Sequence, residues 1–138
     1  MTNDEAQQIL QTNFAPWVLD LGLRVEQVNA DAATLRLPFA ATLTRVGGSL
    51  CGQAMMAAAD TAMVIAISAS LGGFRPMATV GQTISFMRPV LNQDVLVRAR
   101  VIKGGRTLVF GEISFVTVAA DQRETVIAQA TTTYVLAG

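Results

Sequence analysis

Residues 47–71 read GGSLCGQAMMAAADTAMVIAISASL, and the rest of the chain is organised around them. Ala and Met favour helix. Gly47, Gly48 and Gly52 flank the start, and Gly72-Gly73 follow the end. That is the punctuation of a helix entered from a tight loop and left through a flexible one. From Leu50 to Leu71 the only formal charge is Asp60. Apolar residues lie all round the cylinder, so the helix should be wrapped on most sides by protein. A lone carboxylate inside such a helix is costly unless it is hydrogen-bonded or functional.

Upstream, Asn3 or Asp4 can cap a short helix over residues 4–13 that Pro16 stops. Phe14, Trp17, Leu19 and Leu21 read as apolar anchors. Alternation predicts strands over residues 23–28 and 33–37, joined as a hairpin by the turn Asn29-Ala30-Asp31. Downstream of the long helix the period changes to two. Strands are expected over residues 77–90, closed by Pro89, then 95–101, 107–118 and 125–136, with Gly104-Gly105 as a tight turn. These later strands are long and joined by short turns, which predicts antiparallel neighbours. The pattern is α+β: a curved antiparallel sheet of five to six strands around a long central helix, in one domain over residues 1–138. One concave sheet cannot cover a helix that is apolar all round. Part of the helix is therefore expected to face a second subunit.

Composition narrows the function. Hydrophobic residues make up 51% and charged residues 14%, with zero net charge. That argues against nucleic acid as partner and for apolar surface hidden in an oligomer. The one cysteine, Cys51, excludes an intrachain disulfide framework and fits a reducing, cytoplasmic setting. The chain has no histidine. Ser-His-Asp and Cys-His catalysis are thereby excluded, and the commonest zinc ligand is missing. No metal or cofactor is expected. The start, MTNDEAQQIL, carries acids and no base and does not read as a secretory signal. Residues 50–71 are long enough to span a membrane. Gln53, the central Asp60 and the strand pattern that follows argue against a span.

Gly48-Ser49-Leu50-Cys51-Gly52-Gln53, Ala54 to Ala59, then Asp60-Thr61-Ala62 resembles the signature of hotdog-fold acyl-CoA thioesterases of the phenylacetate-degradation type. Leu21-Gly22-Leu23 is similar to that family's opening strand. Residues 79–89, TVGQTISFMRP, are similar to its next signature strand, and Gly104-Gly105-Arg106 to its basic hairpin. The resemblance implies a hotdog fold, hydrolysis of an acyl-CoA thioester, and a homodimer or dimer of dimers. It implies Asp60 as general base or nucleophile, the Gly52 N–H as oxyanion donor and Thr79 as support for the attacking water. Cys51 and Gln53 stand where the family usually has His and Gly, and Arg45 where it often has Asn.

The chemistry agrees with those roles. Thioester hydrolysis needs a donor for the carbonyl oxygen and a carboxylate to activate water or to attack. A helix N-terminus supplies the donor through its free N–H groups, and a glycine there allows close approach. Gly52 and Asp60 are eight residues apart, roughly 12 Å along a helix. One chain cannot easily bring both to one reacting carbon, whereas two antiparallel helices across a two-fold could. Each residue also has a plainer reading. Asp60 can be a paired structural acid, Thr79 an ordinary strand threonine, and Cys51 a small packed residue rather than a reactive thiol. Gln53 can bond substrate or the surroundings of Asp60. Arg88, Arg98, Arg100, Lys103 and Arg106 can grip coenzyme A phosphates or be solvated strand edges. Met55, Met56, Met63 and Phe86 can line an acyl pocket or pack in the core. The leading expectation is a thioesterase. The competitor is a non-catalytic acyl-thioester binding protein of the same fold, and a hotdog dehydratase is disfavoured by the missing histidine. The acyl group, the thioester carrier and the choice between dimer and tetramer are not fixed by the sequence.

Overall fold

The computed structural model describes residues 1–137. The elements run α1 (Asn3–Asn13), α2 (Pro16–Leu19), β1 (Arg24–Val28), β2 (Ala32–Leu37), α3 (Gly52–Leu71), β3 (Met77–Phe86), β4 (Val95–Gly104), β5 (Leu108–Val118) and β6 (Glu124–Leu136). The six strands form one antiparallel sheet in the order β1-β2-β4-β5-β6-β3. The sheet packs on α3 chiefly through β2 and β4, and α1 lies against β1 and α3.

The long helix is apolar because it is the core. Ala58, Ala59, Ala62, Met63, Ile65, Ala66 and Ile67 have no exposed surface. By length and composition Gly52–Leu71 could cross a membrane, but 72% of that window is buried inside the fold. Gly72 ends the helix in the left-handed conformation, with φ 77°, where an L side chain is strained. One strip stays uncovered: Gln53 and Met56 are exposed, and Ala57 and Asp60 are half-buried. These positions recur at the helical spacing of a single face.

Several local expectations are corrected. Thr2 caps α1, not Asn3 or Asp4. Its hydroxyl accepts from the Glu5 N–H while the Glu5 carboxylate accepts from the Thr2 N–H. Pro16 does not stop α1, which ends at Asn13. It begins α2 instead, at a first-turn position where a missing N–H costs nothing. Trp17 is no anchor, being 62% exposed. β3 ends at Phe86, short of Pro89.

The larger correction concerns β3. It does not lie beside β4. It pairs with β6 at the far edge of the sheet. β3 leaves the end of α3 and lies on the opposite side of the sheet from β2. The strands β4, β5 and β6 then fill the space between as a meander. The outcome is an edge strand of ten residues with no charged side chain. A bulge interrupts its pairing with β6 between Thr79 and Gly81. In a regular strand, residues 79 and 82 point to opposite faces. The extra residue lets both Thr79 and Gln82 reach α3, with Thr79 bonding Asp60 and Gln82 bonding the Met56 carbonyl.

Candidate functional site

The approach to α3 is held by backbone. A turn over Arg45–Gly48 closes with Gly48 N–H to the Arg45 carbonyl at 2.9 Å and Arg45 N–H to the Ser49 carbonyl at 2.8 Å. Leu50 N–H then reaches the Val90 carbonyl at 2.9 Å, and Cys51 N–H the Leu43 carbonyl at 2.9 Å. The helix therefore starts at a fixed place, with Cys51 as its N-cap residue. The Cys51 side chain makes no capping bond, so no side chain occupies the first turn's donors. A cleft of about 360 Å³ opens there, lined by Arg45, Ser49, Gly52, Met55, Phe86 and Arg88 among others. The Phe86 ring lies against Gly52: a Cβ added there would meet its Cζ at 3.1 Å.

A second cleft of about 350 Å³ opens further along α3, lined by Trp17, Gln53, Met56, Ala57, Asp60, Thr79 and Gln82. Thr79 donates its hydroxyl to Asp60 Oδ1 at 2.7 Å. The Tyr134 hydroxyl also bonds Oδ1 and lies 2.8 Å from the Asp60 main-chain carbonyl. Tyr134 stands opposite Thr79 in the β3–β6 register. Its ring is 1% exposed. Burial first, and then the neighbouring Asp60 charge, push its hydroxyl well above the usual tyrosine range, so it stays protonated. Asp60 Oδ2 takes no protein hydrogen bond among the described residues. Nor is it among the buried atoms that lack a partner, which are Gln82 Oε1 and Thr132 Oγ1. Those two belong to residues that are register partners on β3 and β6. Asp60, Thr79, Tyr134, Gln82 and Thr132 thus form a polar seam between α3 and the sheet.

The structure brings the sequence-derived residues into two groups. Gly52, Arg45 and Arg88 share the cleft at the helix start. Asp60, Thr79, Gln53 and Met56 share the other. Cys51 lines neither; it is half-buried against the core. Arg106, on the β4–β5 hairpin, also lines neither. Arg98 and Arg100 are committed elsewhere, to Glu124 and Glu112. Arg100 stands opposite Glu112 in the β4–β5 register, and Arg98 reaches across β5 to Glu124 at the start of β6, so carboxylates rather than a phosphate explain them. Met63 is wholly buried, whereas Met55 and Phe86 border the Gly52 cleft. Tyr134 was not expected from sequence. Its signal was the chain's one tyrosine at an inward position of β6, which by alternation alone reads as core. Among the described residues no three His, Cys, Asp or Glu side chains gather as a metal site.

The family model described as Thioesterase superfamily matches residues 47–124, which carry α3, β3, β4, β5 and the turn into β6. The chain belongs to the thioesterase superfamily. Zebrafish thioesterase superfamily member 2 has the same fold, with 25% identity, 99% of each chain covered and a TM-score of 0.84. A hypothetical thioesterase protein from Streptococcus pneumoniae, solved with coenzyme A, shares the fold at 15% identity. It covers 84% of this chain and 86% of its own, with a TM-score of 0.73. A candidate esterase of Saccharolobus solfataricus is 31% identical over 94 residues. That match covers 68% of this chain and spans only 62% of the relative's length. The superfamily fold is the hotdog, a sheet curled about one long helix, as the resemblance in residues 48–62 implies.

Proposed function

We propose that this protein is an acyl-CoA thioesterase whose active site is shared between two copies of the chain. One observation carries the reading. Asp60 presents an unpaired carboxylate oxygen to a cleft while hydroxyls on two strands hold the other. A fully buried structural acid would have both oxygens occupied or be paired to a cation. Asp60 has no cation partner within salt-bridge reach among the described residues.

Within one chain Gly52 and Asp60 line different clefts. Pairing of the charge-free β3 edges, and of the uncovered strips of α3, would bring Asp60 of one subunit to Gly52 of the partner subunit. The thioester carbonyl oxygen accepts from the Gly52 N–H as negative charge develops on it. Asp60 either takes a proton from a water that adds to the carbonyl carbon or attacks that carbon directly. The carbon–sulfur bond breaks and the thiolate leaves and is protonated; on the water route this gives the free acid and coenzyme A at once, and on the direct route it leaves an Asp60 anhydride that a water then hydrolyses to the free acid and the Asp60 carboxylate. Thr79 fixes the carboxylate as well as supporting water. Arg45 and Arg88 flank the Gly52 cleft and suit the phosphates of coenzyme A. Gln53, Met56 and Trp17 border the acyl side. A pairing of two such dimers and a cytoplasmic setting belong to the same reading.

A panel of short, long, branched and aromatic acyl-CoAs, assayed by thiol release, tests it. Binding without turnover across the panel would leave an acyl-thioester binding protein instead. The Gly52→Ala variant gives a sharper result. Gly52 is the first residue of α3, and the Phe86 ring that a side chain here would press on is 48% exposed and able to give way, so the melting temperature should stay within a few degrees of wild type. The new Cβ meets the Phe86 ring and crowds the path to the N–H. We expect kcat to fall by roughly ten- to a hundredfold with the fold intact by circular dichroism.

A further inference from the structure

The β6 register places the one tyrosine of the chain under the proposed catalytic acid, and packing alone does not require its hydroxyl. A phenylalanine would fill the same apolar space without burying a polar group. The hydroxyl is nevertheless present and bonded to Asp60 Oδ1, the atom that also receives Thr79 at 2.7 Å. Two donors from adjacent strands therefore converge on one carboxylate oxygen. The Asp60 carbonyl lies 2.8 Å from the same hydroxyl, but a single proton goes to the charged acceptor, where the bond is stronger.

We infer that Tyr134 is a positioning residue for Asp60: with Thr79 it pins Oδ1, stops the carboxylate turning, and leaves Oδ2 as the one oxygen that meets water or substrate. This rests on the reading of Asp60 as the group that drives hydrolysis. A carboxylate on a helix is otherwise free to rotate about its last bond and to present either oxygen. Rigid support from a buried ring on β6 and a bulged residue on β3 removes that freedom before substrate arrives. Because both donors come from the sheet, the orientation of Asp60 is set by the strands rather than by its own helix.

The test is the Tyr134→Phe variant in the full-length protein, assayed on whichever acyl-CoA the wild type hydrolyses. We expect kcat to fall by about ten- to a hundredfold with KM within about twofold, because the lost bond serves the reacting state rather than substrate binding. An unchanged kcat overturns the inference. If Tyr134→Phe fails to fold, replacing tyrosine by 3-fluorotyrosine throughout alters this position alone, since the chain has one tyrosine. The altered hydroxyl acidity must then change kcat, and an unchanged kcat again overturns the inference. A readout independent of activity is the single Tyr-Cζ carbon resonance of labelled protein. It should move on Asp60→Asn, and an unmoved signal shows that the hydroxyl does not bond the carboxylate. A wild type inactive on every acyl-CoA, with that resonance still coupled to Asp60, overturns the thioesterase reading and the catalytic sense of this inference together. An active wild type with an unimpaired Tyr134→Phe overturns this inference alone.

Discussion

Asp60→Asn removes thioester hydrolysis, by a factor of about 10³ or more, and leaves the fold as it is. Asn has the same shape as Asp. Its amide oxygen can still accept from Thr79 and Tyr134, which bond only Oδ1. Its nitrogen replaces Oδ2, which has no protein partner among the described residues and so leaves no donor or acceptor stranded. The melting temperature should therefore stay within a few degrees of wild type. What changes is chemical: a neutral amide neither takes a proton from water nor attacks a carbonyl carbon. Thiol release measured beside thermal unfolding separates the two effects. Hydrolysis persisting within tenfold of wild type would place the chemistry elsewhere. A structural Asp60, by contrast, would show itself as lost stability.

Val80→Glu should split the proposed dimer and silence it. Val80 is 61% exposed on the β3 edge, beside the bulge that delivers Thr79 to Asp60. β3 has no charge of its own and no element covering its outer side. An edge of this kind is a template for another strand. A carboxylate on both edges of a two-fold pair brings like charges together and strips them of water, at a cost of several kcal/mol. A monomer in sedimentation, with native circular dichroism and hydrolysis at least about a hundredfold down, is the expected result. A variant that is monomeric and fully active would mean that one chain holds a complete site.

The long helix and its lone acid were legible in the sequence because each is a local property. Composition makes residues 52–71 helical, and the absence of other charges makes Asp60 conspicuous. The hairpins were legible too, since alternation and turn residues act over short distances. What connects distant segments was not. A short link from β3 to β4 suggested neighbours, yet β3 lies across the sheet beside β6. No feature of residues 77–94 encodes which partner is met at the far edge. Arg98 and Arg100 read as phosphate grips or solvated strand edges, and only the sheet order brings Glu124, one strand beyond β5, and Glu112, opposite on β5, to them. Trp17 reads as an apolar anchor because it is large and apolar, but it borders the cleft over Asp60. Thr79 sits in a stretch with a recognisable order of residues, whereas Tyr134 acquires meaning only through the strand next to it.

The distance along α3 between Gly52 and Asp60 has a genetic consequence. Each subunit would give its donor to one site and its acid to the other, so two different defects need not coincide. Co-refolding Gly52→Ala chains with Asp60→Asn chains yields hybrids in half of the pairs. Each hybrid carries one site with both lesions and one with neither. Activity should reappear in the mixture at about a quarter of the wild-type level, from one protein that alone keeps about a tenth or less and another that is nearly dead.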